Sequence, residues 1–259
     1  MSDNHLSDLT FSALDLAPAL MQGIEEAGFT RCTPIQAQTL PFALAGRDIA
    51  GQAQTGTGKT AAFVLPMLER LHANRVSGSR GVRALVVVPT RELALQVEQS
   101  VRTYGAHRPV RSTAIYGGVS MDRQVRALSG GVEIVVATPG RVIDHLERGT
   151  LDLNTIRHVV LDEADEMLQM GFVDAIDHIL SLVPAERQVV LFSATLPTQI
   201  KRIAQKHLRD PREITVKSKT ATAANIRQRY WLVAGIHKLD ALTRLLEVET
   251  FDAMLVFAR

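Results

Sequence analysis

Between about residue 48 and residue 216 the chain repeats one pattern, a short apolar run followed by a longer amphipathic stretch. Short apolar runs bounded by turn residues predict buried strands, and apolar residues three and four apart predict helices. Strands are expected near Asp48–Gln52, Ala84–Val88, Arg111–Ile115, Glu133–Ala137, His158–Asp162, Gln188–Phe192 and Glu213–Val216. Helices are expected near Pro18–Ala27, Ile35–Ala45, Lys59–Ala73, Arg91–Tyr104, Ser120–Ser129, Arg141–Glu147, Val173–Leu182 and Thr198–Leu208. Strand and helix alternate, so the expected fold is α/β, a parallel sheet with helices on both faces. Pro18 near the start of the first helix and Gly28 just past its end fit the usual end signals, although Ala17 offers no side-chain cap.

The pattern breaks at Lys217–Ala224, which is small and polar, and a linker is expected over 217–226. Beyond it a strand (Arg229–Val233), a helix (Lys238–Leu246) and a strand (Met254–Ala258) are expected, covering 227–259. Three elements cannot make a core alone. The first ten residues read as a flexible polar tail, and 11–216 as one complete domain.

Composition narrows the class. A chain of 259 residues, 46% hydrophobic, can bury one large core or one and a fraction. The single cysteine, Cys32, excludes an internal disulfide, and little beside it other than Arg31 would activate its thiol. No apolar run approaches the roughly 18 residues of a membrane span, and the polar start lacks a signal-peptide core, so a cytoplasmic protein without membrane contact is expected. With a net charge of +2, any nucleic-acid binding must come from a local patch.

Candidate chemistry begins at Ala53-Gln54-Thr55-Gly56-Thr57-Gly58-Lys59-Thr60, set between an expected strand and an expected helix. That context marks a phosphate-binding loop, despite Ala53 where the strict pattern has Gly. The glycines let backbone N–H groups wrap around phosphates, Lys59 would reach the β- and γ-phosphates, and the Thr60 hydroxyl would hold Mg²⁺. Downstream, Val159-Val160-Leu161 delivers Asp162-Glu163-Ala164-Asp165 to the carboxyl edge of the sheet. There Asp162 would hold Mg²⁺ and Glu163 would orient or deprotonate water; the alternative is an acidic helix N-terminus.

Those residues spell D-E-A-D, and the chain resembles the DEAD-box RNA helicases from Phe11 to its end. Gly28–Gln36 resembles the family's Q motif, with Phe11 standing 17 residues before Gly28. Pro89–Ala94, Gly117-Gly118, Thr138–Arg141 and Ser193-Ala194-Thr195 resemble further motifs in the family's order. The stretches around Gln228–Trp231 and Phe251–Ala253 resemble its bacterial cold-shock branch. The resemblance implies a RecA-like P-loop domain using ATP and Mg²⁺. It assigns nucleotide binding to Phe11, Arg31, Gln36, Gln54, Thr55, Gly56, Thr57, Gly58, Lys59 and Thr60. Gln36 would read adenine with one donor and one acceptor, and Phe11 would stack on the base, unless it simply packs against its own helix. Catalysis falls to Lys59, Asp162, Glu163, Asp165, Ser193 and Thr195, the last two by hydrogen bonds to Asp165. RNA binding falls to Pro89, Thr90, Arg91, Gly117, Gly118, Thr138, Pro139, Gly140 and Arg141, through the sugar–phosphate backbone and without base readout. Ion pairing on the surface is the alternative for the arginines.

The resemblance further implies a fragment, the ATP-binding half of a helicase plus the opening of its second domain. Catalytic arginines of that second domain would follow Arg259, leaving the fragment weakly active. Ribosomal or RNA-degradation assemblies are possible partners. Two other functions stay open: a nucleotide-gated RNA-binding module that does not unwind, and a P-loop ATPase acting on DNA or protein.

Overall fold

The computed structural model describes residues 6–73, 81–216, 227, 229–234 and 237–257. By contacts the chain divides into two units, 1–218 and 219–259. The first is built on a parallel sheet of seven strands: β1 (Ile49–Gln52), β2 (Ala84–Val87), β3 (Ser112–Ile115), β4 (Ile134–Ala137), β5 (His158–Leu161), β6 (Gln188–Ser193) and β7 (Arg212–Thr215), in the order β3-β4-β2-β5-β6-β1-β7. Its helices are α1 (Pro18–Glu26), α2 (Pro34–Leu44), α3 (Lys59–Ala73), α4 (Arg91–Tyr104), α5 (Met121–Ser129), α6 (Pro139–Glu147), α7 (Ala164–Gln169), α8 (Val173–Leu182) and α9 (Thr198–His207).

Both faces of the central strands are buried, so successive residues feed two separate cores. On β2, Ala84 and Val86 join one core with Phe63, Leu68 and Phe192, while Leu85 and Val87 join the other with Val159, Leu161, Met167 and Ile176. Hence the strands read as continuous apolar runs, not as alternation. Where α1 crosses α4 the backbones nearly touch: a Cβ on Gly23 would stand 2.3 Å from the Tyr104 carbonyl oxygen.

Three expectations change. Leu6–Thr10 is not a loose tail. Ser7 N–H donates to the Cys32 carbonyl at 2.8 Å, Cys32 N–H donates to the Leu9 carbonyl at 2.8 Å, and Thr10 bridges Arg31, so this segment straps the 28–36 region. Helix α7 was not anticipated from the sequence, because it is short and begins inside the acidic motif. In the second unit, α10 (Lys238–Val248) forms as expected, but 229–233 and 254–257 form no strand among the described residues. A strand exists only through a paired neighbour. Leu232, Leu255 and Phe257 stand largely exposed instead, and Arg229 pairs with Glu249 at 2.6 Å. The expected linker, 217–226, lies outside the described residues, as do Gln228 and Ala258.

Candidate nucleotide and nucleic-acid site

A parallel sheet presents all its strand ends on one edge, and here every motif read from the sequence of the first unit, the 28–36 region apart, follows a strand. The loop after β1 carries the phosphate-binding pattern, β5 leads into Asp162–Asp165, and β6 ends in Ser193–Thr195. On the other half, β2 leads into Pro89–Arg91, β3 into Gly117-Gly118 and β4 into Thr138–Arg141. The strand order places β6, β5 and β1 together and β3, β4 and β2 together. The edge is thus divided into two adjoining halves, with the seam between β2 and β5. A cleft of about 220 Å³ opens at that seam, walled by Thr55, Lys59, Pro89, Thr90, Glu163 and Asp165 among others.

In the phosphate-binding loop Gly56 and Gly58 have φ of 80° and 91°, values that side chains rarely tolerate. Thr57 Oγ1 donates to the Gln54 carbonyl at 2.8 Å and ties the loop closed. Lys59 opens α3 with its side chain 5% exposed, and Nζ lies 3.7 Å from Asp162 Oδ1. That is an ion pair, too long for a hydrogen bond, and Nζ has no hydrogen-bond partner among the described residues. A buried ammonium with three unused donors fits a phosphate group. Burial pushes the Asp162 carboxyl up to about 6, with Lys59 pulling against it and the charge of Glu163 adding to it. Half-buried Thr60 follows Lys59 on α3. Among the described residues no three His, Cys, Asp or Glu gather around a cation site. Thr60 and Asp162 are the side chains that would hold Mg²⁺, a cation bound through one or two carboxylates with phosphates and water completing its shell.

Glu163 has φ 55° and ψ 50°, the left-handed region, although it is not glycine. This turn starts α7 immediately after β5, which is what lets Asp162, Glu163 and Asp165 all reach the strand edge. Such strain is characteristic of functional sites. The Glu163 carboxylate accepts from Thr55 Oγ1 at 3.2 Å, so the acidic motif is joined to the phosphate loop. Asp165 is joined to the end of β6: its N–H donates to Ser193 Oγ at 3.1 Å, and its carboxylate accepts from Thr195 Oγ1 at 2.8 Å and from the backbone N–H of Thr195 and Ala194. Burial works to raise the Asp165 carboxyl, but these hydrogen bonds hold it below its ordinary range. The expected link from Ser193 and Thr195 to Asp165 is therefore present, with Ser193 serving the backbone and Thr195 the carboxylate.

Thr33 caps α2 through a capping box in which Gln36 Oε1 accepts from Thr33 N–H at 2.8 Å. The Gln36 amide Nε2 donates to the Gly58 carbonyl at 3.0 Å, so Gln36 is held against the phosphate loop. One N–H and one lone pair of its amide remain, the pair that adenine recognition requires, on a side chain that is itself 4% exposed. Arg31 donates to the Ser7 carbonyl at 3.0 Å and pairs with Asp8 at 3.2 Å, within the strap. Phe11 departs from expectation. Its ring is 1% exposed and stacks on Phe29 with centroids 6.2 Å apart, so neither face is open to a base. Its apolar surface is worth more in the core than at the site. Cys32 is fully buried, which pushes its thiol up to about 11 and keeps it inert.

In the other half, Thr90 caps α4, its Oγ1 accepting from Leu93 N–H at 3.2 Å, and Arg91 is exposed beside Glu92 at 2.7 Å. Gly117, Gly118 and Gly140 are exposed, with nothing within 4 Å of a Cβ added at the first two, while Pro139 is buried and Thr138 half-buried. Arg141 is the second departure. It is 9% exposed, approaches Asp144 at 3.4 Å, and donates to the Val119 carbonyl at 3.4 Å. Its guanidinium braces the Gly117–Met121 turn from inside and does not face solvent as a phosphate ligand would. The sequence did not reveal the left-handed Glu163, nor Glu166 and Met170 in the cleft wall. The first depends on a backbone angle with no composition signal, and the others sit on or just after the unforeseen α7.

Comparison with known proteins agrees with this arrangement. The sequence model of the DEAD/DEAH box helicase family matches residues 33–203. The DEAD-box ATP-dependent RNA helicase CshA of Geobacillus kaustophilus is 50% identical over 250 residues, covering 96% of this chain and 53% of that protein. The ATP-dependent RNA helicase DeaD of Mycobacterium tuberculosis is 52% identical over 254 residues, covering 98% of this chain and 44% of that protein. The chain thus spans about half the length of these curated relatives. Among solved structures, a DEAD box protein from Methanococcus jannaschii superposes with a TM-score of 0.75 at 38% identity, covering 92% of this chain and 63% of that one. A hypothetical ATP-dependent RNA helicase from Sulfolobus tokodaii gives 0.71 at 37% identity, covering 78% and 57%. With its family model matched over most of the first unit and its motifs gathered on one sheet edge, the chain belongs to the DEAD/DEAH box helicase family.

Proposed function

We propose that this chain is the ATP-binding half of an ATP-dependent RNA helicase, which couples ATP binding and hydrolysis to local remodelling of RNA gripped by its backbone. The observation that carries the reading is the seam of the carboxyl edge, where Lys59, Glu163 and Asp165 share one cleft with Pro89 and Thr90. A nucleotide in the loop and a strand across β3, β4 and β2 would there act on neighbouring side chains. Lys59 binds the β- and γ-phosphates, and Gln36 reads the adenine edge from its place on the loop. Glu163, released from Thr55, accepts the proton of the attacking water. Mg²⁺, held by Asp162 and Thr60, would supply charge neutralisation on the phosphates. Thr90, Arg91 and the exposed glycines bind sugar and phosphate, which makes recognition independent of sequence and sensitive to salt. Asp165 passes the state of the nucleotide to β6 through Thr195.

ATP turnover by the intact protein, measured alone, with single-stranded RNA and with single-stranded DNA of the same sequence, tests this. RNA is expected to stimulate turnover several-fold and DNA much less. Equal stimulation by both, or by neither, would refute the RNA assignment.

A further inference from the structure

On the opposite, amino edge of the sheet lies a larger cavity, of about 650 Å³, lined by Arg70, Arg83, Arg157, Arg187 and Arg209, with Glu186 as its only carboxylate among the described residues. The arginines come from separate segments: the end of α3, the residues just before β2, β5 and β6, and the turn after α9. Helices end on this edge, and their last carbonyls need donors. Part of the cluster answers that need. Arg187 donates to the carbonyls of Val183, Pro184 and His207, Arg157 to those of Asn154 and Ile156, Arg209 to that of Arg187, and Arg83 to that of Leu71. Carbonyl oxygens hold a guanidinium in place without cancelling its charge. Arg83 has a carboxylate partner, Glu133 at 2.6 Å, and the buried Asp48 carboxylate acts on Arg187, while the lining itself holds five arginines and one carboxylate among the described residues. Burial and then the charge of Arg70 push the His158 ring down to about 4, against a hydrogen bond with Gln188, and burial holds Arg187 below its ordinary range against the opposing charge of Asp48.

We propose that this cavity binds a compact small molecule bearing several phosphates, at a site separate from the phosphate-binding loop. The volume lies within the range of small-molecule pockets, about 300–1,000 Å³. Of the lining residues Arg83 is buried at 8% exposure, while Arg157 and Arg209 are exposed. Five arginines lining one hollow from separate segments suit a compact, multiply charged anion, whereas a nucleic-acid strand needs a linear track. Their planar forks also match phosphate oxygens two at a time.

The test is calorimetric titration of inorganic tripolyphosphate into protein already saturated with Mg²⁺ and ADP, so that the phosphate loop is filled. The parent should bind one equivalent. The double variant Arg157→Ala, Arg209→Ala, changed at exposed positions that spare the fold, should bind at least tenfold more weakly with unchanged ADP affinity. The separate ADP titration reports on the loop, so a failure of the ATP assignment would show itself there and not here. No binding to the saturated parent, or equal binding by the double variant, overturns the proposal. So does a tenfold loss of single-stranded RNA affinity in the double variant with tripolyphosphate binding unchanged, which would make the cluster a nucleic-acid track.

Discussion

Gln36 holds two structures together, the cap of α2 and the carbonyl of Gly58, and still keeps the donor and acceptor that adenine needs. Gln36→Ala should therefore erase a preference for ADP over GDP, and calorimetry with the two nucleotides measures it; an unchanged preference would place adenine recognition elsewhere. At the acidic motif, Glu163→Gln keeps size and hydrogen bonding but removes the basic carboxylate. Nucleotide affinity should survive while hydrolysis by the intact protein falls by at least 10²-fold. Lys59→Ala should instead weaken nucleotide binding, because a buried charge meant for phosphate is lost. Parent-like turnover by Glu163→Gln in a single-turnover assay would require another water activator. His158 gives a pH prediction. Its ordinary value is about 6.5, and in the fold it lies at about 4, chiefly through burial. Between those values the unfolded chain takes up a proton that the folded chain refuses. This contribution to stability is intact above about pH 6.5 and is lost as pH falls toward 4, by up to about 3 kcal/mol. Urea unfolding at pH 7 and pH 4.5 should show a smaller difference for His158→Asn than for the parent.

At the scale of elements, α1 and α4 meet through a glycine with no room for a methyl group. Gly23→Ala should cost about 1–3 kcal/mol by forcing the helices apart, despite its higher helix propensity; a stability gain on thermal unfolding would contradict the close approach. Two arginines expected to share one role should now differ. Exposed Arg91→Ala should weaken RNA binding alike for unrelated sequences and lower the salt slope by about 1. Buried Arg141→Ala should chiefly lower stability, by about 1 kcal/mol, since it removes a guanidinium that donates to the Val119 carbonyl from inside the fold. Filter binding at several salt concentrations separates the two. Elements with strong periodicity and turn residues were legible within a residue or two, because burial on both faces writes Val159-Val160-Leu161 and its counterparts as unbroken apolar runs. What tertiary contact decides was not legible. Phe11 is buried against Phe29, Leu6–Thr10 is bound to the 28–36 region, and Arg141 turns inward, each through partners distant in sequence or across a turn. The strands expected at 229–233 and 254–257 have the right residues but pair with no neighbour among the described residues.

For the whole molecule, the strand order matters most. Because β2 and β5 are neighbours, the residues assigned to nucleotide and those assigned to nucleic acid meet at one seam, and Asp165 extends that seam to β6. Adjoining sites on one sheet edge are placed to couple, and by linkage any such coupling is mutual. The direct measurement is the affinity of the intact protein for a single-stranded RNA, read by fluorescence anisotropy with and without saturating ATP and Mg²⁺ in the Glu163→Gln variant, where hydrolysis is blocked. ATP is expected to tighten RNA binding at least fivefold, and GTP is expected not to. RNA affinity unmoved by either nucleotide would contradict this coupling.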